Sequence, residues 1–226
     1  MSVNNQVEVT ILAIKGILFD LDGTLVDTTG LIIDSFHYTI EKVLGRTTSQ
    51  EEILSYWGMT LRDSMYAYSP EKREELIQVY RHYNETMHDK LIKPFPKVQE
   101  TLHELSQLGI KCAIVTSKMT HTAKRGLEIF NLHTYVEDII GMDKCQHHKP
   151  HPEPVLNGLA ALNLAAHECL MVGDSVQDLQ AAHNAGVPAV GVAWSLLYPS
   201  GTLTSQAQPD YIIHNMPDLL KIIKGE

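Results

Sequence analysis

The sequence is poor in cysteine, in basic residues and in long apolar segments, and each shortage excludes a class of protein. Its three cysteines (Cys112, Cys145 and Cys169) show no CxxC spacing and are odd in number, so they favour neither a zinc motif nor a closed disulfide set. Acidic residues outnumber basic ones 27 to 18, and the formal charge of −9 disfavours general nucleic-acid binding. No apolar run approaches the roughly 20 residues that a membrane-spanning helix needs.

The same shortages indicate a cellular location. The first ten residues contain no basic segment ahead of an apolar stretch, so we expect no signal peptide. Cys112 and Cys169 lie within apolar runs, where buried free thiols are expected. We therefore expect a cytoplasmic protein without a membrane partner. The sequence carries no signal for an oligomeric state.

Composition and length indicate a folded chain of one to two domains. The 226 residues correspond to about one and a half domains of average size. The hydrophobic fraction of 44% and the charged fraction of 20% are those of a globular protein and exclude disorder.

Short apolar runs alternate with helical patterns along most of the chain. Runs at residues 16–19, 112–115, 169–172 and 188–192 predict buried strands. Helical spacing predicts helices at residues 98–108, followed by Gly109 as a C-terminal stop, and after Pro152 and Pro154. This alternation predicts an α/β fold, with a Rossmann-like parallel sheet covered by helices on both faces.

Residues 28–93 interrupt the alternation with helical patterns and no convincing strand. Two amphipathic stripes mark this segment, one at Ile32, Phe36, Ile40 and Val43 and the other at Leu76, Tyr80, Tyr83, Met87 and Leu91. The second helix is predicted to begin at Ser69-Pro70. We therefore predict a core made of residues 1–27 and 94–226, and a small all-helical domain made of residues 28–93.

Polar residues follow the predicted strands at the positions where ligands bind in open parallel sheets. They are Asp20 and Asp22, then Thr116 and Ser117, then Lys149 after a short loop, and finally Asp174 and Asp178. Clustered carboxylates repel one another unless a cation joins them. Ligands that offer only oxygen favour Mg²⁺ when phosphate completes its coordination, and a lysine and a hydroxyl can hold the remaining phosphate oxygens.

These residues form four motifs that resemble those of haloacid dehalogenase-superfamily phosphatases. Asp20-Leu21-Asp22-Gly23-Thr24 is similar to the first motif, Thr116 to the second, Lys149-Pro150 to the third, and the segment from Gly173 to Asp178 to the fourth. All four occur in the order of the family, and the resemblance covers residues 15–220. It implies that the helical segment is a C1-type cap.

The resemblance implies a role for each residue of the site. Asp20 would attack phosphorus to form an aspartyl-phosphate, and Asp22 would act as general acid and then as general base. Mg²⁺ would be held by the Asp20 carboxylate, the Asp22 backbone carbonyl and the Asp174 carboxylate. Thr116 and Lys149 would bind the transferring phosphoryl group.

Other positions refine this assignment. Asp178 would orient a bound water or the lysine of the third motif. Family dehalogenases lack the acid at Asp22, which favours phosphoryl transfer here, and Ile32 stands where family mutases carry a histidine. Gly23 allows a sharp turn after Asp22, and its amide is a candidate phosphate contact.

The substrate contacts outside the motifs are predicted from cations and hydroxyls near the site. Arg62, in the cap segment 58–64, is a candidate clamp for a second anionic group, although a salt bridge within the cap explains it nearly as well. Ser117 and Lys118 are further candidates, and a solvated lysine is the alternative for the second. Extra cations would suit a dianionic substrate such as pyrophosphate or phosphoglycolate.

Local segments around the second, third and fourth motifs resemble the pyrophosphatases of Gram-positive bacteria within this family. One departure is Ser175, where that group usually has asparagine. Phosphoglycolate and sugar-phosphate phosphatases share much of the pattern and are the first alternative. A non-catalytic protein that binds a phosphorylated metabolite is the alternative from another class.

Three histidines flank the lysine of the third motif. The spacing of His147, His148 and His151 does not match a closed zinc site. We therefore expect solvated loop residues at these positions.

Overall fold

The computed structural model describes residues 14–57, 59–199 and 201–225, so the expectation about the first ten residues lies outside the described part. Its strands, in chain order, are β1 (Gly16–Phe19), β2 (Val26–Asp27), β3 (Lys93–Pro94), β4 (Lys111–Val115), β5 (Asp138–Ile140), β6 (Cys169–Gly173), β7 (Ala189–Val192) and β8 (Tyr211–Ile213). Six of them form one parallel sheet in the order β5-β4-β1-β6-β7-β8. The predicted α/β fold is therefore confirmed.

Helices lie between the strands and flank the sheet. In chain order they are α1 (Thr29–Leu44), α2 (Gln50–Leu54), α3 (Leu61–Tyr68), α4 (Arg73–Leu91), α5 (Val98–Gln107), α6 (Thr120–Ile129), α7 (Glu153–Leu162), α8 (Val176–Asn184), α9 (Thr202–Ala207) and α10 (Asp218–Lys224). Short 3₁₀ segments add Leu132–Tyr135, Met142–Lys144 and Ala166–Glu168. In the described part of the chain, no helix combines the length and the apolar composition needed to cross a bilayer.

The central strands are apolar throughout because both faces of the sheet are covered. Side chains alternate along β1, so Ile17 and Phe19 pack into one apolar cluster and Leu18 packs into a second cluster on the opposite face. All three are fully buried. Cys112 on β4 and Cys169 on β6, the two strands that flank β1, are buried free thiols as predicted.

Helices α1 to α4 form an insertion between β2 and β3. Seven buried side chains give this insertion an apolar cluster of its own: Phe36, Ile40, Val43, Ile53, Met65, Leu76 and Ile77. The two short strands pair antiparallel, with Val26 opposite Pro94 and Asp27 opposite Lys93. The prediction that residues 28–93 contain no strand is therefore wrong at Lys93, because a two-residue strand is too short to show a periodic pattern.

The predicted start of the long helix α4 is also corrected. This helix begins at Arg73, with Lys72 as the capping residue, rather than at Ser69-Pro70. The Ser69 hydroxyl accepts a hydrogen bond from the Lys72 backbone N–H at 3.3 Å and closes a turn that precedes the helix. Ser69 therefore correctly indicates a nearby helix, but the turn from Ser69 to Lys72 places the first helical residue at Arg73.

Candidate active site

Asp20 and Asp174 lie side by side at the carboxyl edge of the sheet. Asp20 follows β1 and Asp174 follows β6, and these neighbouring strands run parallel with Phe19 opposite Val172. The Asp20 backbone N–H donates to the Val172 carbonyl at 2.9 Å, so the ladder continues to the carboxylate. Both carboxylates are buried. The fold thus brings together two residues that are more than 150 positions apart in the sequence.

The Lys149 ammonium lies between two buried carboxylates. Its Nζ atom donates to Asp20 Oδ1 at 2.8 Å, to Asp178 Oδ1 at 2.5 Å and to the Val115 carbonyl at 3.0 Å. All three ammonium hydrogens are therefore used. Burial alone would lower the pKa of Lys149, but the charges of Asp178 and Asp20 raise it overall. Lys149 is consequently a permanent cation within the site.

Asp178 connects this lysine to the start of helix α8. Its Oδ2 atom accepts hydrogen bonds from the Ser175 backbone N–H at 3.0 Å and from the Ser175 hydroxyl at 2.6 Å. The Asp178 backbone N–H donates back to the Ser175 hydroxyl at 3.2 Å, which completes a capping box. Since both of its oxygens are engaged within the protein, Asp178 is suited to hold Lys149 in position.

The carboxylates of Asp20, Asp174 and Asp178 form a cluster whose chemistry fits Mg²⁺. One oxygen of each lies within 4.8 Å of the others. Burial raises the pKa of Asp20 to about 7 even though Lys149 opposes the shift. Burial, with the nearby charges of Asp178 and Asp20, also raises the pKa of Asp174 well above its usual value. One lysine does not balance three buried carboxylates, and a hard cation with oxygen ligands would.

Asp22 lies beside the same cluster and pairs with Lys118. The Lys118 ammonium donates to Asp22 Oδ1 at 2.6 Å, and both side chains are partly buried. The Lys118 backbone N–H donates to the Thr116 hydroxyl at 3.2 Å, which fixes the turn after β4. The sequence predicts Lys118 as a candidate substrate contact, but its ion pair with Asp22 could not be predicted because the two residues are 96 positions apart.

Gly23 makes room for Asp174. It has a positive φ of 80°, and a Cβ atom at this position would lie only 2.3 Å from Asp174 Oδ2. The predicted phosphate contact of its amide does not fit the structure, because the Gly23 N–H donates to the Val26 carbonyl at 2.9 Å. Close approach to a carboxylate is therefore the reason for glycine here.

Arg62 lies in helix α3, and Gly58, which opens the predicted cap segment, lies outside the described residues. The Arg62 guanidinium is 3.4 Å from Glu74 Oε1, and both side chains are largely exposed. The structure thus contains the salt bridge that the sequence offered as the alternative for this arginine. Arg62 also borders the cavity described next.

A cavity of about 510 Å³ lies between the sheet edge and the helical insertion. Every candidate residue from the sequence except Gly23 lines this cavity. Sequence reasoning missed Trp57, whose indole N–H donates to Asp174 Oδ2 at 3.2 Å from the insertion side. It also missed Ser195, whose hydroxyl donates to the Asp174 carbonyl at 2.5 Å. The rarity of tryptophan, with two in the chain, was the available signal for Trp57.

Known proteins similar to this chain match nearly its whole length. The family model described as haloacid dehalogenase-like hydrolase matches residues 17–192. A relative from Caldanaerobacter subterraneus is 46% identical over 94% of this chain and 96% of its own length. Pyrophosphatase PpaX of Anoxybacillus flavithermus is 40% identical over 93% of this chain and 97% of its own. A solved haloacid dehalogenase-like family hydrolase from Streptococcus pneumoniae is 28% identical with a TM-score of 0.81, covering 92% of this chain and 97% of its own.

Proposed function

The chain belongs to the haloacid dehalogenase-like hydrolase family, and we propose that it hydrolyses inorganic pyrophosphate through an aspartyl-phosphate on Asp20. The family and the relatives support a phosphatase. The observation that carries the proposal for the site is the Asp20 carboxylate, buried beside Asp174 and held by Lys149 at 2.8 Å. A carboxylate fixed in this way is oriented for attack and cannot rotate freely.

The first step of the proposed reaction transfers a phosphoryl group to Asp20. A carboxylate oxygen of Asp20 attacks phosphorus, an O–P bond forms, and the bond between phosphorus and the leaving oxygen breaks. Asp22 donates a proton to the leaving oxygen as that bond breaks. The Lys118 ammonium, 2.6 Å from Asp22 Oδ1, holds this carboxyl group at the edge of the cavity.

The second step releases phosphate and restores the enzyme. Asp22 takes a proton from a water molecule, which attacks phosphorus and breaks the bond to Asp20. Lys149 and Thr116 stabilise the charge on the phosphoryl oxygens in both steps. The Asp20 and Asp174 carboxylates and the Asp22 backbone carbonyl would hold Mg²⁺, which when bound neutralises phosphoryl charge.

The helical insertion is proposed to act as a cap, with residues 28–93 forming the cap and residues 1–27 and 94–226 forming the core. Trp57 supports this role, because its indole N–H reaches across the cavity to Asp174 Oδ2. A cap in this place excludes water from the site during attack and must open for product release.

Pyrophosphate is the preferred substrate because of the relative named pyrophosphatase PpaX and because of the cations at the cavity. Lys118 and Arg62 both line the cavity outside the Lys149 cluster. Two such cations suit the phosphate that leaves when pyrophosphate is cleaved. A phosphoglycolate or sugar-phosphate ester remains the alternative substrate class for the same mechanism.

A phosphate-release assay with Mg²⁺ tests this function. We expect the value of kcat/KM to be larger for pyrophosphate than for phosphoglycolate and for several sugar phosphates. A preference for one of the esters would support a phosphatase but would reject pyrophosphate as its preferred substrate. Binding of these compounds without turnover would instead support the non-catalytic alternative.

Replacing Asp22 with asparagine should separate pyrophosphate from esters. An alkoxide leaving group needs the proton of Asp22, so we expect formation of the aspartyl-phosphate from an ester to slow by about 10²–10⁴-fold. Phosphate leaves more readily, and we expect a loss of only about tenfold with pyrophosphate. Rapid-quench measurement of the phosphorylated enzyme isolates this first step. Equal losses with both substrates would contradict the argument that a phosphate leaving group depends less than an alkoxide on the proton of Asp22.

The stabilising effect of Mg²⁺ should increase with pH. Burial raises the pKa of Asp20 to about 7 from the ordinary value of 3.8, so between these two values the folded protein binds more protons than the unfolded chain. Metal-free stability therefore falls as pH rises towards 7, and Mg²⁺ offsets that loss by binding the ionised carboxylates. We expect the rise in Tm on adding Mg²⁺ to be larger at about pH 8 than at about pH 5.5. Asp174→Asn is the control and should lose most of this rise, whereas a rise independent of pH would oppose a carboxylate site.

A further inference from the structure

A second group of possible metal ligands lies outside the cavity, on the loop that carries Lys149. This histidine–glutamate cluster consists of His147, His151 and Glu153, and the first two side chains are exposed. One ligand atom from each residue lies within 4.8 Å of the others. None of the three lines the cavity above the sheet edge. The proposed phosphatase mechanism therefore does not use them.

The two imidazole rings already face one another. The ring centroids of His147 and His151 are 4.4 Å apart with an angle of 27° between the planes. His147 Nδ1 lies 2.8 Å from Glu153 Oε2, and His151 Nδ1 accepts a longer hydrogen bond of 3.2 Å from the Glu153 backbone N–H. Ligands about 2.0–2.2 Å from a tetrahedral ion are about 3.3–3.6 Å apart. The His147–Glu153 pair is somewhat closer than this, and all three ligand atoms lie within 4.8 Å of one another, so side-chain adjustments of about 1 Å are needed to form the site.

The loop holds the cluster in place through Glu153. This carboxylate accepts hydrogen bonds from the backbone N–H groups of Gln146 at 2.7 Å and His147 at 2.9 Å. The carboxylate is thereby fixed with a lone pair of Oε1 left for a ligand bond, and Oε2 gains one when the His147 ring stops donating to it.

We propose that His147, His151 and Glu153 bind one transition-metal ion of the Zn²⁺ or Cu²⁺ class at the surface of this loop. Two imidazole nitrogens and one carboxylate oxygen are ligands that such ions prefer, whereas Mg²⁺ prefers oxygen ligands alone. On binding, the proton on Nδ1 of the neutral His147 ring is exchanged through solvent for one on Nε2, so the ring stays neutral and its Nδ1 lone pair binds the ion in place of the hydrogen bond to Glu153 Oε2. Water would complete the coordination, so the proposed site is open to solvent.

An ion at this cluster would restrain the loop on both sides of Lys149. His147 precedes the lysine by two residues and His151 follows it by two. A bound ion links these flanking positions to each other and to the first turn of α7 through Glu153. The ion would thereby limit the motion of the segment from which Lys149 reaches Asp20, without entering the cavity.

Electron paramagnetic resonance with Cu²⁺ as the probe tests this site. Tag-free protein is titrated in saturating Mg²⁺, so that the oxygen ligands of the carboxylate cluster are occupied. We expect one Cu²⁺ per chain with hyperfine coupling to imidazole nitrogen, a signal that the carboxylate cluster does not give. A spectrum with oxygen ligands alone would overturn the proposal.

Single substitutions separate this cluster from the other histidines among the twelve in the chain. We expect His147→Ala and His151→Ala each to weaken Cu²⁺ binding by on the order of tenfold or more. His148→Ala is the matched control on the same loop, because His148 contributes its backbone carbonyl to the loop and no ligand atom to the cluster. Unchanged binding in the first two variants, or an equal loss in His148→Ala, would overturn the proposal. All three variants should keep the wild-type Tm in the absence of Cu²⁺.

Discussion

Asp20→Asn is expected to reduce phosphate release by at least about a thousandfold with every substrate, because the amide cannot attack phosphorus. The substitution retains the shape of the side chain and an oxygen that can accept the hydrogen bond from Lys149. It also removes one of three clustered negative charges, so we expect no loss of thermal stability. Activity should therefore fall without unfolding. Phosphate release and Tm, measured on the same preparation, check both parts of this expectation.

Asp138→Asn is a suitable control for the Asp20 variant. Asp138 lies on β5 in the same sheet, its half-exposed carboxylate pairs with Lys144, and it does not line the cavity. We expect this variant to retain activity. The wild-type protein quenched in acid during turnover should carry one phosphoryl group on the peptide that contains Asp20, as seen by mass spectrometry. Phosphate release by Asp20→Asn near the wild-type rate would reject Asp20 as the nucleophile.

The sequence was informative about the sheet and about the residues at its edge. Strands β1, β4, β6 and β7 are buried on both faces, so they are continuous apolar runs that can be recognised without a partner strand. Their polar neighbours Asp20, Thr116 and Asp174 were therefore predicted to meet, since parallel strands end at one edge. Both predictions depend on local pattern and on one rule of sheet geometry.

The contacts between side chains across the site could not be predicted from the sequence. Lys149 binds Asp20 over 129 residues and Trp57 binds Asp174 over 117, and no local pattern encodes such distances. The partner of Arg62 could not be predicted either, because a charged residue near a site can face the substrate or a neighbouring helix. Its bond to Glu74 depends on how α3 packs against α4. The sequence thus identified the types of residue at the site, whereas tertiary packing determined their partners.

Lys149→Met is expected to destabilise the metal-free protein by about 3–5 kcal/mol at a pH of about 8, because it removes the cation from a buried charge cluster. Methionine fills a similar volume but leaves Asp20 and Asp178 without the ammonium that lies 2.8 and 2.5 Å from them. The pKa of Asp20 is about 7 with the lysine present, because burial raises it and the charge of Lys149 lowers it. Removing the lysine raises this pKa further, so the loss of stability should grow as pH rises and Asp20 ionises. Urea unfolding of the metal-free protein measures the loss.

A second substitution tests whether charge, rather than packing, causes this loss. Asp178→Asn removes one carboxylate, and the asparagine side-chain oxygen can still accept the bonds from Ser175 that cap α8. We therefore expect the double variant Lys149→Met, Asp178→Asn to be more stable than Lys149→Met alone, although Asp178→Asn alone destabilises the wild type. Mg²⁺ should likewise stabilise Lys149→Met more than the wild type, because it supplies the missing positive charge. If neither Asp178→Asn nor Mg²⁺ recovers stability, the loss comes from packing, and the view of Lys149 as the cation that balances this cluster is wrong.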